Sequence, residues 1–303
     1  MRRGALIALT LLLGGCGLGE GEQREGGAEL RVTRDFGHER LGRASVDRVR
    51  DGQTVMRLLR SRFDVDTRYG GRFVQKIDGL EGRGVTGRRD WFYFVNGIEA
   101  GVGAADYELS PGDVVQWDYR RWDEVMRVPA VVGAFPEPLL HGERGKRLPV
   151  RVECTDPGAA SCERVTEDLR SLGVKAGQAQ LGSTGTTDVV RVVVGPWRKA
   201  RLVRAAAALE RGPERSGVFA RFRGDGRALT LLDSAGRAAR RAPPGTGLVA
   251  ATSPAEEELV WLVTGVDERG VVAAAGALDA RRLRDAYAVA VDGTRTVKLP
   301  VED

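Results

Sequence analysis

The sequence predicts a chain of two units, an N-terminal α+β domain followed by an α/β domain with a mixed sheet. Three observations carry this. Residues 30–127 hold alternating, strand-like segments around one short helical stretch. Residues 128–149 are rich in Pro and Gly. Beyond them, strand followed by helix recurs at 150–172, 189–211 and 259–278. A length of 303 residues suits two modest cores rather than one.

The chain opens with Arg2 and Arg3, an apolar run over 5–13, and Gly14-Gly15-Cys16. This is the pattern of an export signal with a lipobox, too short to span a bilayer, which needs ~20 apolar residues. Residues 1–15 are therefore expected to be removed and Cys16 to be acylated, anchoring the protein outside the cytoplasm. Residues 16–29 hold little to bury and are expected to form a flexible tether. Residues 30–33 and 44–49 read as strands. At 54–62 the apolar residues Val55, Leu58 and Leu59 have helical spacing, and 72–77, 91–96 and 114–119 are again strand-like.

The four prolines of 128–149 argue for a linker without regular structure. In the C-terminal unit, 150–152 and 189–194 read as strands and 162–172 as a helix. Gly195-Pro196 opens a helix expected over 197–211 and closed by Gly212-Pro213. Gly224-Asp225-Gly226 signals a hairpin between 218–222 and 228–232. Strands are expected at 248–251 and 259–264, a helix at 267–278, and a second helix capped by Asp279 leading into a strand at 287–291.

Composition excludes some functions. The formal net charge of +5 falls to +3 without Arg2 and Arg3, and 42 acidic residues are interleaved with 47 basic ones, so no basic stripe marks a nucleic-acid groove. With Cys16 assigned to the lipid, Cys154 and Cys162 remain as an even pair around a turn-rich connector, and an exported protein is expected to join them. His38 and His141 are the only histidines; neither has metal-ligand spacing or belongs to a recognisable catalytic arrangement. No metal site and no catalytic residue are expected. Gly82, Gly84 and Gly87 match a phosphate-loop spacing, but an aromatic strand follows them where a helix should begin, so they are expected to form a loop. Asp64-Val65-Asp66 departs from a calcium loop at Arg68 and Tyr69.

Three of five tryptophans and three of five tyrosines fall between residues 91 and 122. The segment reads Asp90-Trp91-Phe92-Tyr93-Phe94-Val95-Asn96-Gly97, then Tyr107-Glu108-Leu109, then Pro111-Gly112-Asp113-Val114-Val115-Gln116-Trp117-Asp118-Tyr119. It resembles the transcobalamin C-terminal-like family of bacterial extracytoplasmic domains, whose pattern is an aromatic strand ending in Val-Asn-Gly, a Tyr-x-Leu and a Gly-Asp-x-Val-x-Trp-x-Tyr strand. The upstream residues 54–59 and 73–80 fit its helix and second strand, so the likeness covers about 30–122 and implies a β-grasp fold. In transcobalamin relatives this domain covers one side of a corrinoid, and the helical barrel on the other side has no counterpart here.

Physics accounts for the same positions. Asn96-Gly97 suits a turn needing positive φ, and Gly112-Asp113 a turn feeding the last strand. Alternation places Trp91, Tyr93 and Val95 on one face and Phe92 and Phe94 on the other, while Val115, Trp117 and Tyr119 share a face. Two readings follow. The aromatics pack the sheet, or Trp91, Tyr93, Trp117, Tyr119 and Trp122, with Arg120 and Arg121, form a shelf for a flat ligand, possibly corrinoid-like. The functional expectation is a lipid-anchored, non-catalytic binding protein for a small molecule or an envelope or transport partner, its cofactor unspecified. The alternatives are a scaffolding lipoprotein without a pocket and an extracytoplasmic hydrolase.

Overall fold

The computed structural model describes residues 23, 24, 26–183, 188–254 and 258–302. The expected signal and Cys16 lie outside them. Of the expected tether, the last residues are structured: Gln23–Arg24 pairs with Val49–Arg50, and the first long strand already starts at Ala28. Among the described residues no helix is long and apolar enough to cross a membrane.

In the N-terminal unit the elements are β1 (Ala28–Arg34), β2 (Glu39–Val46), α1 (Val55–Arg60), β3 (Val65–Arg68), β4 (Phe73–Ile77), β5 (Arg89–Val95), β6 (Ile98–Glu99) and β7 (Val114–Arg121). The main sheet runs β2-β1-β7-β5-β6, with β7 parallel to β1 and antiparallel to β5. A hairpin, a helix laid over the sheet, and a last strand inserted in parallel beside the first make the β-grasp arrangement. α1 forms where the Thr54 hydroxyl accepts from the Arg57 N–H and caps the first turn. Val55, Met56, Leu58 and Leu59 are all buried against the sheet. Gly84–Gly87 is a single helical turn where the sequence indicated a loop.

The C-terminal unit contains β8 (Val150–Cys154), α2 (Ala160–Ser171), β9 (Ala176–Gln180), β10 (Val190–Pro196), α3 (Trp197–Ala200), α4 (Arg204–Ala207), β11 (Ala220–Arg223), β12 (Ala228–Leu232), β13 (Ala238–Arg241), β14 (Gly247–Thr252), β15 (Val260–Gly265), α5 (Glu268–Ala275), α6 (Ala280–Leu283), β16 (Ala288–Asp292) and β17 (Arg295–Leu299). Its main sheet runs β9-β8-β10-β15-β14-β16-β17. The first four strands are parallel and the last three alternate in direction, so the sheet is mixed. β14 and β15 are buried along their whole length, as strands covered on both faces must be. Cys154 at the end of β8 and Cys162 in α2 form a disulfide with Cα atoms 5.9 Å apart.

Two sequence expectations require correction. The single helix over 197–211 is broken: Val203 is extended (φ −74°, ψ 120°) between α3 and α4, and a 3-10 turn follows at Ala208–Arg211. In one straight helix Val203 and Ala205 would point about 200° apart. The break lets Trp197, Ala200, Val203, Ala205, Ala206 and Leu209 enter the same core. Residues 128–149 form no helix or strand, yet much of the segment is interior. Val128 and Val131 join the core on one side of the large sheet, and Val132, Phe135 and Leu139 that on the other. Prolines forbid regular structure here, while the apolar residues between them bury too much area to remain solvated.

Candidate functional site

The aromatic face resolves first. β5 and β7 pair so that Trp91 lies opposite Tyr119, Tyr93 opposite Trp117, and Val95 opposite Val115. Alternation assigned these faces correctly. The face carrying Trp91, Trp117 and Tyr119 is buried in one cluster with α1 and β4, leaving the three residues at most 5% exposed. Tyr93 is half-buried, stacks on Trp117 at 4.8 Å, and donates its hydroxyl to Val102 O at 2.6 Å. Tyr119 donates to Glu81 O and the Trp91 indole N–H to Leu80 O. The expected open shelf is thus core, closed by a cluster that combines Val55, Met56, Leu58 and Leu59 of α1 with Val74, Ile77, Tyr107 and Leu109.

The remaining candidates do not join it. Trp122, half-buried past the end of β7, donates its indole N–H to Asp90 at 2.9 Å. Arg121 is exposed and pairs with Asp123. Arg120 is fully buried on the opposite face, 3.8 Å over Phe92, donating to Val125 O and Met126 O. At the turns, φ is 55° at Asn96, 77° at Gly97 and 90° at Gly112. The buried Asp113 carboxylate accepts from Asn96 Nδ2 and Ser110 N. These turns also receive the 128–149 segment, since a Cβ on Gly97 would lie 2.5 Å from Val131 O and one on Gly112 2.6 Å from the His141 ring.

Burial removes solvation from the phenolate forms, so the pKa values of Tyr93, Tyr107, Tyr119 and Tyr287 are raised above 10.0, the usual value. Above that value the unfolded chain loses these protons and the folded chain keeps them. Stability complete below pH 10 is therefore expected to fall progressively as pH rises above it. An alkaline titration of phenolate absorbance checks it: most tyrosines should ionise only together with loss of the circular dichroism signal. Smooth ionisation of all of them in the folded state would show that they are exposed.

The sheet face opposite α1 meets the C-terminal unit. Phe36 sits edge-on to Phe219 and Tyr287 at 5.0 and 5.2 Å, and Phe94 edge-on to Tyr287 at 5.4 Å. Within this seam the wholly buried Asp118 carboxylate accepts from Thr33 Oγ1 (2.6 Å), Phe36 N (3.0 Å), Gly37 N (3.0 Å) and Tyr287 Oη (2.9 Å). Burial raises the Asp118 pKa, and these donors and Arg120 oppose the rise. Asp285 takes both Arg40 Nε and Nη2 across the same boundary.

Open concave surface lies elsewhere along the seam. A hollow of about 720 Å³ is lined by Arg204, Arg211 and Arg215 from the broken helix region, and a second of about 620 Å³ by Ile98, Leu148, Val189 and Leu259. They meet at Arg127, Pro129 and Ser253, which line both. Residues of both units and of the connecting segment thus build one groove of ligand-binding size. Its acids are largely neutralised. Glu99 lies 3.6 Å from Arg120 and 3.7 Å from Arg127, Glu258 3.5 Å from Arg191, and Glu210 2.7 Å from Arg201. Burial raises the Glu99 pKa. A larger hollow of about 950 Å³ lies beside α2 and α6 in the C-terminal unit, where the Arg164 and Asp168 side chains lining it pair with one another.

Sequence reasoning missed the groove because its residues are scattered from 98 to 259 and are individually ordinary. Neither histidine lines it: His38 Nε2 is 2.7 Å from Pro300 O, and His141 Nδ1 is 2.6 Å from Glu137. Among the described residues no group of three or more His, Cys, Asp or Glu side chains is placed to hold a metal ion.

Residues 52–121 match the family described as a domain of unknown function, DUF4430. That stretch runs from just before α1 to the end of β7. The 1.30 Å crystal structure of a protein from Ruminococcus gnavus ATCC 29149, described only provisionally as metal binding, is 17% identical with a TM-score of 0.27; the match covers 32% of this chain and 98% of that one. Haptocorrin in complex with Cbi is 15% identical with a TM-score of 0.26, covering 33% of this chain and 26% of haptocorrin. The chain thus spans about a quarter of haptocorrin. No curated protein matches it. The β-grasp assignment rests on strand order and direction within the N-terminal unit.

Proposed function

We propose that this chain is an extracytoplasmic binding protein, held at the membrane by lipid on Cys16, that takes a small molecule into the groove along its seam without transforming it. The observation that carries the reading is that both faces of the aromatic sheet are covered within the chain, by the cluster of α1 and β4 and by the C-terminal unit, while the groove beside them stays open. The Cys154–Cys162 disulfide supports an oxidising compartment. Binding without catalysis suits a groove whose acids are mostly paired with arginine and whose lining includes no histidine.

The test is to isolate the acylated chain from the membrane fraction of producing cells and identify retained small molecules by mass spectrometry, beside an Ala207→Trp variant. Ala207 lines the groove and is only half-buried, so an indole there fills space rather than displacing core. A compound retained by the parent and lost in the variant, with the melting temperature unchanged, is expected. Equal retention by both, or by neither, overturns the reading, and a retained protein in place of a small molecule would favour a scaffolding lipoprotein.

A further inference from the structure

We infer that the exposed tip of the β3–β4 hairpin docks into the interfacial zone of the bilayer, Tyr69 and Phe73 holding the chain in one orientation on the membrane; the inference rests on the lipid anchor proposed above. The tip reads Arg68-Tyr69-Gly70-Gly71-Arg72-Phe73. Tyr69 is 80% exposed. Its ring meets that of Phe73 edge-on at 6.3 Å, and Phe73 is itself 36% exposed. A Cβ added to Gly70 or Gly71 would meet nothing within 4 Å, so the tip stands clear of the rest of the chain. Tyr69 also has φ of 52°, a left-handed conformation in which a bulky residue is strained and glycine is not. Neither packing nor backbone geometry calls for an aromatic ring at this position, and a contiguous exposed apolar patch marks a contact made outside the fold.

The occupant follows from where the chain is held. Cys16 stands seven positions before Gln23, so the acylated end lies within about 25 Å of that residue even with the segment fully extended. Gln23–Arg24 pairs with Val49–Arg50. From there Gln53 O accepts from Leu109 N, Met56 N donates to Ala104 O, and a Cβ on Gly103 would lie 3.5 Å from Arg72 O. The hairpin tip therefore sits at the end of the domain where the tether enters. Val102, 38% exposed and next to Gly103, extends the apolar patch. Charge does not single out an acidic partner here. Arg68 lies 3.8 Å from Glu81, and Asp106 and Glu108 are exposed in the adjoining loop, against Arg72, whose side chain has no hydrogen-bond or ion-pair partner among the described residues. Aromatic rings between guanidinium groups suit the headgroup zone, where tyrosine is enriched and arginine stems lie along apolar surface while their charge stays in water. A contact of this kind adds orientation to an anchor that leaves the protein free to turn on its tether.

The experiment places the full acylated chain in liposomes of phosphatidylcholine and phosphatidylglycerol, with a nitroxide attached at Arg72→Cys. With Cys16 acylated and Cys154 joined to Cys162, the introduced thiol is the free one. A label at Ala239→Cys, on the exposed strand β13, is the reference. Collisions with oxygen, which concentrates in lipid, are expected to exceed those with a water-soluble nickel chelate at position 72, and the order should be the reverse at 239. Replacing both rings, Tyr69→Gly with Phe73→Thr, should return the label at 72 to the aqueous pattern while the chain stays on the liposomes. Tyr69→Gly alone should leave the melting temperature at or above that of the parent, because strain is relieved and no buried contact is lost. A marked fall would assign the ring to folding and overturn the docking. A label at 72 that reads as aqueous in the parent, on a chain still bound, overturns the docking and leaves the anchor standing. A chain that washes off the liposomes overturns anchor and docking together. Spin coupling between labels at 72 on two chains would assign the tip to self-association and overturn the docking as well.

Discussion

Replacing Trp117 by alanine is expected to lower stability by about 3–5 kcal/mol, the range for truncating a large buried aromatic. The indole is 3% exposed, stacked on Tyr93, and in the cluster that holds Leu30, Leu58 and Leu59. Its N–H has no hydrogen-bond partner among the described residues, so truncation opens a cavity without orphaning a polar group. The contrast is Trp122→Ala, where a half-buried ring and one hydrogen bond to Asp90 are lost and a cost of about 1 kcal/mol is expected. Urea denaturation followed by circular dichroism measures both. A Trp117→Ala change within about 0.5 kcal/mol of the parent would place the indole at the surface and reinstate the aromatic shelf.

This expectation shows where sequence was sufficient. Alternation within β5 and β7 assigns each aromatic to a face, because side chains on a strand have a period of two whatever lies above them. What covers each face is a tertiary fact. One face is closed in part by α1, legible from Val55, Leu58 and Leu59 behind the Thr54 cap. The other is closed by Phe219 and Tyr287, more than a hundred residues downstream, with nothing local to announce it. Isolated local signals were reliable: Gly224-Asp225-Gly226 makes its turn with all three residues at positive φ, and Asp279 caps α6 by accepting from Arg281 N and Arg282 N.

Strands without a local signal went unseen. β9 reads Ala-Gly-Gln-Ala-Gln and has no β-branched residue; it is held by parallel pairing to β8 after the return through α2. β13, Ala-Ala-Arg-Arg, is exposed along its length. The segment 128–149 misled for a related reason. Proline content speaks of backbone regularity and glycine of local freedom, but burial follows from Val128, Val132, Phe135 and Leu139, whose partners lie in other elements. The groove combines both difficulties, since its residues are individually ordinary and only the fold brings them together.

Asp118→Ala is expected to be comparably severe, at about 3–5 kcal/mol, through a different mechanism. No large cavity forms, but Phe36 N, Gly37 N and Tyr287 Oη lose one shared acceptor inside a seam closed to water, Thr33 Oγ1 is left with Trp117 O, and Arg120 loses a nearby countercharge. Each orphaned donor retains the cost of desolvation without its bond, about 1–3 kcal/mol before relaxation. Tyr287→Phe removes one donor and leaves the carboxylate three, so about 1 kcal/mol is expected from it alone. In the double variant the tyrosine hydroxyl is no longer stranded, and the combined loss should fall short of additivity by about 0.5–3 kcal/mol. Additive losses in the cycle would mean that Asp118 and Tyr287 do not bond across the boundary, and the two units would then be held by the aromatic contacts of Phe36 and by the other polar contacts across it, Arg40 with Asp285 and Lys298 with Gly37 O among them.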